Sequence, residues 1–214
     1  LFNSNSIAKS HLTKQIEITT TSSQLILSNL SRAAALVQSF KEVAIDQTTD
    51  KRRMFDLKKY IDEVLISLQP EIKHTQYKVK LSCPENLSVF SVPGSLAQII
   101  TNLFFNAITH GFENKDQGCI NITIKEKEDL IQLYFTDNGC GMEKNNVDQI
   151  FEPFFTTKRG SGGSGLGMHI VYNLVHQSLH GNITCNSSIN KGTNFEIMFP
   201  KNLPRTPPST NYSI

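Results

Sequence analysis

Asn102, Asn106 and His110 recur at four-residue steps in a largely apolar stretch running from Leu96 to about Gly111, so on a helix the three share one face. Amide oxygens on such a face suit a hard cation such as Mg2+, which keeps several waters and shares the rest of its sphere with phosphate. The same spacing would also serve a solvated stripe on a half-buried helix. A second group, Asp137-Asn138-Gly139-Cys140-Gly141-Met142, directly follows a β-rich run. Asp-Asn-Gly is a common turn. A carboxylate at a strand end, beside glycines that let the backbone approach a ligand, also has the makings of a base-reading site. Adenine would offer Asp137 an amino donor, where guanine offers a carbonyl oxygen.

Two further segments lie downstream. Phe151-Glu-Pro-Phe-Phe-Thr-Thr157-Lys158-Arg159 sets aromatic residues beside two cations in what should be a loop. Core packing accounts for the phenylalanines and solvation for the cations; a lid over a nucleotide accounts for their adjacency, with Lys158 or Arg159 meeting phosphate charge. Gly160-Ser-Gly-Gly163-Ser164-Gly165-Leu166-Gly167 then opens a helix with an apolar face of Leu166, Ile170, Val171, Leu174 and Val175. A flexible linker is the plain reading of the glycines. Before a helix N-terminus they also make a phosphate site, because unpaired N–H groups and the helix dipole favour an anion. No Gly-Lys-Ser/Thr follows, so this is not a Walker loop, and it does not sit at a first strand-to-helix turn as a dinucleotide fingerprint would.

The elements that must hold these residues follow from periodicity. Leu57 to Leu68 reads as a helix, Tyr77 to Ser82 and Leu87 to Val92 as strands, and Pro93 to about Gly111 as a helix. Strands are expected at Cys119 to Lys125 and Leu130 to Thr136, and a loop from Asn138 to Ser164. A helix from Leu166 to Leu179 and strands at Asn182 to Ser187 and Thr193 to Phe199 complete the domain. Strands and helices without regular alternation predict an α+β fold, a two-layer sandwich with helices on one face of a mixed sheet. Upstream, Ser22 to Ala44 reads as an amphipathic helix, with the polar segment Asp46 to Arg53 as a boundary. Residues after Pro200, rich in proline, read as a disordered tail.

Composition narrows the function classes. A chain of 214 residues with 38% hydrophobic and 19% charged residues is globular, and its net charge of +2 is too small to imply a nucleic acid partner. The four cysteines form no Cys-x-x-Cys pair, which argues against a structural zinc or a redox dithiol and for a reducing compartment. No apolar run approaches the roughly 20 residues that cross a bilayer.

Taken in this order, Asn102-Leu-x-x-Asn106-Ala, Asp137-x-Gly-x-Gly, Phe151-x-Pro-Phe and Gly163-x-Gly165-x-Gly167 closely resemble the nucleotide-binding boxes of sensor histidine kinases. These belong to the GHKL group, built on the Bergerat ATP-binding fold, and the resemblance covers about Phe55 to Pro200. It implies ATP and Mg2+ as cofactors. Asn106 would coordinate the metal, Asn102 would contact phosphate or metal, and Asp137, with Gly139 and Gly141 beside it, would accept the adenine amino group. His110, Met142 and Thr193 would line the base and ribose region. Thr157, Lys158, Arg159, Gly163, Ser164, Gly165, Leu166 and Gly167 would form the phosphate-facing lid, with Asn102 and Lys158 as the catalytic residues. ATPase members of the group place a glutamate where Asn102 stands, and an amide cannot activate water.

The same resemblance makes residues 1–50 part of a dimerisation hairpin, 51–200 the catalytic domain and 201–214 a tail. Neither His11 nor His74 lies in the family's phosphoacceptor pattern, so Ser22 to Ala44 would be the second hairpin helix and the accepting histidine would lie on another segment. The expected partners are that phosphoacceptor helix, a response regulator receiver domain and a second copy in a parent homodimer. The chain would be cytoplasmic, its parent anchored in the inner membrane. The competing readings are a GHKL ATPase or serine kinase, and a nucleotide-binding regulatory module without transfer.

Overall fold

The computed structural model describes residues 12, 14–24, 26–27, 52–113, 115–158 and 164–204. The chain divides into two units, Leu1–Ala44 with Thr156–Ser164, and Ile45–Phe155 with Gly165–Ile214. In the first, the described residues between 12 and 27 are helical and exposed. Helical backbone therefore starts ahead of Ser22, and the expected continuation to Ala44 lies outside the described residues. Arg159, Gly163 and the tail from 205 lie outside them as well.

The second unit begins with a short strand, β1 (Arg53–Asp56), which pairs antiparallel with β3 (Ser88–Ser91). Helix α1 (Leu57–Ile72) starts where the Asp56 carboxylate accepts the Lys59 N–H at 3.0 Å, a cap worth about 1 kcal/mol. It buries Leu57, Ile61 and Leu68. Helix α2 (Pro93–Asn106) opens on a proline whose missing N–H costs nothing in a first turn, and buries Leu96, Ile99, Ile100, Leu103 and Phe104. It runs on as a π turn, Ala107–Gly111, in which the Phe112 N–H bonds the Ala107 carbonyl at 2.8 Å. A short helix, α3 (Lys144–Gln149), buries nothing. Helix α4 (Gly167–Asn173) also ends in a π turn, Leu174–Ser178.

The main sheet has the order β2-β4-β5-β7-β6, from Gln76–Ser82, Gln117–Lys127, Leu130–Asp137, Gly192–Pro200 and Asn182–Ser188. Only the β2–β4 pair is parallel. Alternate residues point inward: Ile120, Ile122 and Ile124 on β4, Ile131, Leu133 and Phe135 on β5, Phe195, Ile197 and Phe199 on β7, all buried. Helices α1, α2 and α4 add buried residues from the other layer, so the two-layer α+β arrangement read from the sequence is the one found. The chain stays packed beyond Pro200. Lys201 accepts the Phe90 N–H (3.0 Å), Leu203 donates to the Phe90 carbonyl (2.8 Å), and the Leu203 side chain is buried. The backbone of Phe90, to which this segment is bonded, is distant in sequence, which is why composition alone placed the end earlier. No helix among the described residues is long and apolar enough to cross a membrane.

Candidate functional site

The site is organised around the C-terminal end of β5. Asp137 is its last residue, only 4% exposed, and its Oδ1 accepts from the Gly139 N–H at 2.7 Å and the Thr193 N–H at 3.3 Å. Burial pushes its carboxyl above the ordinary aspartate range, while these two hydrogen bonds and the Lys115 charge pull the other way. Both bonds fall on Oδ1, which leaves Oδ2 to accept from a ligand. Lys115 is itself anchored, its Nζ donating to the Asn138 carbonyl at 2.7 Å.

Asn138, Cys140, Gly141 and Met142 of the 138–142 loop each meet something remote in sequence. Asn138 exchanges hydrogen bonds with Cys119 on β4, its Oδ1 accepting at 2.8 Å and its N–H donating at 3.2 Å. The Cys140 N–H reaches the Gly111 carbonyl at 2.8 Å, and its thiol donates to the His110 carbonyl at 3.3 Å. The π turn after α2 thus has a use: it delivers these two carbonyls to the loop. On the other side the Asn190 N–H meets the Cys140 carbonyl (2.6 Å) and the Met142 N–H meets Ser187 Oγ (2.9 Å). Gly141 and Gly192 have φ of +67° and +82°, and a methyl group on either would overlap a backbone carbonyl oxygen, that of Ser188 or of Asp137 respectively. Backbone meets backbone at both points, which only glycine permits.

Asn102 and Asn106 lie in the C-terminal turns of α2 and are half-buried. The Asn102 Nδ2 donates to the Gln98 carbonyl at 3.0 Å, which turns its Oδ1 toward Gly167, where a Cβ would lie 3.3 Å from it. No hydrogen bond holds the Asn106 side chain among the described residues, so its amide oxygen is available to a cation. No group of three or more His, Cys, Asp or Glu suited to a metal occurs among the described residues. A cation beside Asn106 would take most of its ligands from phosphate and water, which is how Mg2+ prefers to bind.

Of the aromatic segment, Phe151 is packed and Phe154 is exposed. The Phe151 ring meets Tyr172 and Phe195 at centroid distances of 5.7 and 6.4 Å. His169 Nδ1 lies 3.1 Å from the Phe151 carbonyl, and a carbonyl only accepts, so Nδ1 carries the proton and Nε2 accepts from Asn173 Nδ2 at 3.2 Å. Gly165 packs on the Phe154 carbonyl group. Leu166 is buried and accepts the Ile170 N–H at 2.9 Å.

Asn102, Asn106, His110, Asp137, Gly139, Gly141, Met142, Gly165, Leu166, Gly167 and Thr193 therefore all belong to the second unit. Thr157, Lys158 and Ser164 belong to the first; there the Lys158 N–H donates to Thr156 Oγ1 at 3.1 Å, and Thr157 is exposed. Sequence reasoning did not pick out Lys115, Gly111, Ser187 or Gly192. Of these, Gly192 carried a local signal in the Asn190-Lys-Gly192 turn between two strands, and Gly111 was read only as a helix end.

Residues 91–203 match the family described as histidine kinase-, DNA gyrase B-, and HSP90-like ATPase, and the chain belongs to that family. It is 30% identical over 184 residues to Sporulation kinase B of Bacillus subtilis, covering 85% of this chain and 41% of that protein. It is also 30% identical over 154 residues to the sensor histidine kinase ZraS of Escherichia coli K12, covering 72% of this chain and 32% of that one. The catalytic domain of the histidine kinase ThkA has the same fold, with a TM-score of 0.62 at 26% identity over 71% of this chain and 97% of that domain. The chain is thus homologous to the ATPase catalytic domain of sensor histidine kinases and spans less than half the length of these two curated relatives.

Proposed function

We propose that the chain binds ATP with Mg2+ as the catalytic portion of a two-component sensor histidine kinase and passes the γ-phosphoryl group to a histidine on a phosphoacceptor helix outside it. The observation that carries this reading is the Asp137 carboxylate, buried, with Oδ1 committed to two backbone N–H groups and Oδ2 left to accept an adenine amino group. Asn106 would hold the metal, and Asn102 would meet phosphate or metal. His110, Met142 and Thr193 would line the base and ribose. Thr157, Lys158, Arg159 and the 163–167 turn would face the phosphates. Bound ATP supplies the phosphoryl group, and Mg2+ offsets the negative charge of its oxygens.

Asn102 favours transfer over hydrolysis. Its carboxamide, tied to the Gln98 carbonyl, cannot take a proton from water, so what remains is positioning of the phosphates for a protein nucleophile. In the same proposal the phosphoacceptor helix belongs to the parent kinase, which works as a homodimer, hands the phosphoryl group to a response regulator receiver domain and keeps this portion in the cytoplasm.

Single-turnover reaction of the chain with γ-labelled ATP and a separately made phosphoacceptor helix of the parent tests it. The expected product is labelled helix with one ADP formed per phosphoryl group transferred. Label released only as inorganic phosphate would favour the ATPase reading. Saturable ATP binding with no label leaving ATP would favour a regulatory module.

A further inference from the structure

Ser187 lies on β6 opposite Thr193 of β7, and its hydroxyl is fully committed. Its Oγ is 2.8 Å from the Gly192 carbonyl oxygen, 2.9 Å from the Met142 nitrogen and 3.1 Å from Thr193 Oγ1. Donor and acceptor roles follow from chemistry alone. A carbonyl only accepts, so the single Ser187 proton goes to Gly192. The Met142 N–H only donates, so it takes one Ser187 lone pair. With its proton already used, Ser187 can meet Thr193 only as an acceptor, and the Thr193 hydroxyl must donate to it. The Thr193 proton is thereby spent, and any other group that meets Thr193 Oγ1 has to bring a donor.

This polarity matters because of where Thr193 stands. It is 7% exposed, and its backbone N–H fills part of Asp137 Oδ1, so the two residues adjoin. The wall next to the 138–142 loop therefore offers two acceptors, Asp137 Oδ2 and Thr193 Oγ1. We propose that Ser187 determines the nucleotide preference of this site, by consuming the Thr193 proton and holding the Met142 N–H so that the base-reading wall accepts hydrogen bonds and donates none. A 6-amino group brings this wall the donor it needs, directly or through a water; a 6-oxo group brings another acceptor to the same position, its purine's donor lying on N1 instead, and the mismatch costs affinity. The inference rests on Asp137 being the base-reading carboxylate.

Calorimetric titration of ATP and of inosine triphosphate, which carries a 6-oxo group and no 2-amino group, into the wild type, Ser187→Ala and Ser187→Thr tests it. In Ser187→Ala the Thr193 hydroxyl is released to turn and donate to an oxo group. The variant should lose roughly fivefold in ATP affinity while keeping or gaining affinity for inosine triphosphate, so the ratio between them narrows. Ser187→Thr, which keeps the hydroxyl, should restore the wild-type ratio. Equal losses for both nucleotides in Ser187→Ala would show that Ser187 only supports the fold, and would overturn the proposal. Thr193→Val gives a second arm should Ser187→Ala fold poorly: it deletes the acceptor itself, and an unchanged ratio there is equally fatal. A wild type that binds neither nucleotide would show instead that the base-site reading of Asp137 fails, and Ser187 with it.

Discussion

Gly192→Ala is expected to destabilise the domain by about 2–4 kcal/mol and to remove saturable nucleotide binding at concentrations that saturate the wild type. At a φ of +82° an alanine is strained before it meets anything, and its methyl group would overlap the Asp137 carbonyl oxygen and lie 2.9 Å from the Asn138 Cα. Neither obstacle is a flexible side-chain tip. Backbone must move, and the segment that moves is the start of β7, where the Thr193 N–H holds the Asp137 carboxylate. Stability and base recognition should therefore fall together. Urea denaturation of Gly192→Ala beside the exposed neighbour Lys191→Ala measures the effect. A Gly192→Ala midpoint no lower than that of Lys191→Ala would contradict the packing described for this turn.

Asp137→Asn separates recognition from folding. The asparagine oxygen can still accept from Gly139 and Thr193, while its amide nitrogen replaces the acceptor at Oδ2 with a donor. ATP affinity should drop by about 1–3 kcal/mol, roughly 5- to 150-fold, and GTP should gain relative to ATP. Stability should behave oppositely. The carboxyl is pushed up, burial being the largest cause, so the folded state favours its protonated form more than the unfolded state does. That contribution is fully present below the unfolded-state pKa and is lost as pH rises through the raised folded value. At neutral pH the ionised Asp137 is a cost to the fold, and Asp137→Asn should melt at or above the wild-type temperature. ATP binding should weaken as pH falls through the same raised value, because the anionic acceptor is then lost. Equal affinity of the wild type for ATP and GTP would contradict the assignment of Asp137.

The elements that position the site were legible where packing leaves a local pattern. The alternation along β4, β5 and β7 and the apolar faces of α2 and α4 read directly as strands and helices, because each buries one face against one core. The π turns at 107–111 and 174–178 were not legible, since the extra residue in a turn changes the hydrogen-bond ring without changing which residues are apolar. Strand β1 was missed because its four residues are a strand only by virtue of β3, far along the chain. Helix α3 was missed because it buries no residue and so leaves no periodicity. The site divides in the same way. Asp137, Gly139 and Gly141 announce themselves as a run, and Asn102 with Asn106 as a helical spacing. Ser187 is an unremarked serine in a polar strand, and its role exists only because the fold brings Met142 and Thr193 to its hydroxyl.

The central claim, that this chain holds ATP with Mg2+ through Asp137 and Asn106, is tested most directly by calorimetric titration of ATP into the wild type and Asn106→Ala, each with Mg2+ and with a chelator. The prediction is saturable binding by the wild type that is stronger with Mg2+, and an Asn106→Ala variant that loses most of that Mg2+-dependent gain while keeping its metal-free affinity. A wild type that does not bind ATP, or a variant that keeps the full Mg2+ gain, would contradict it.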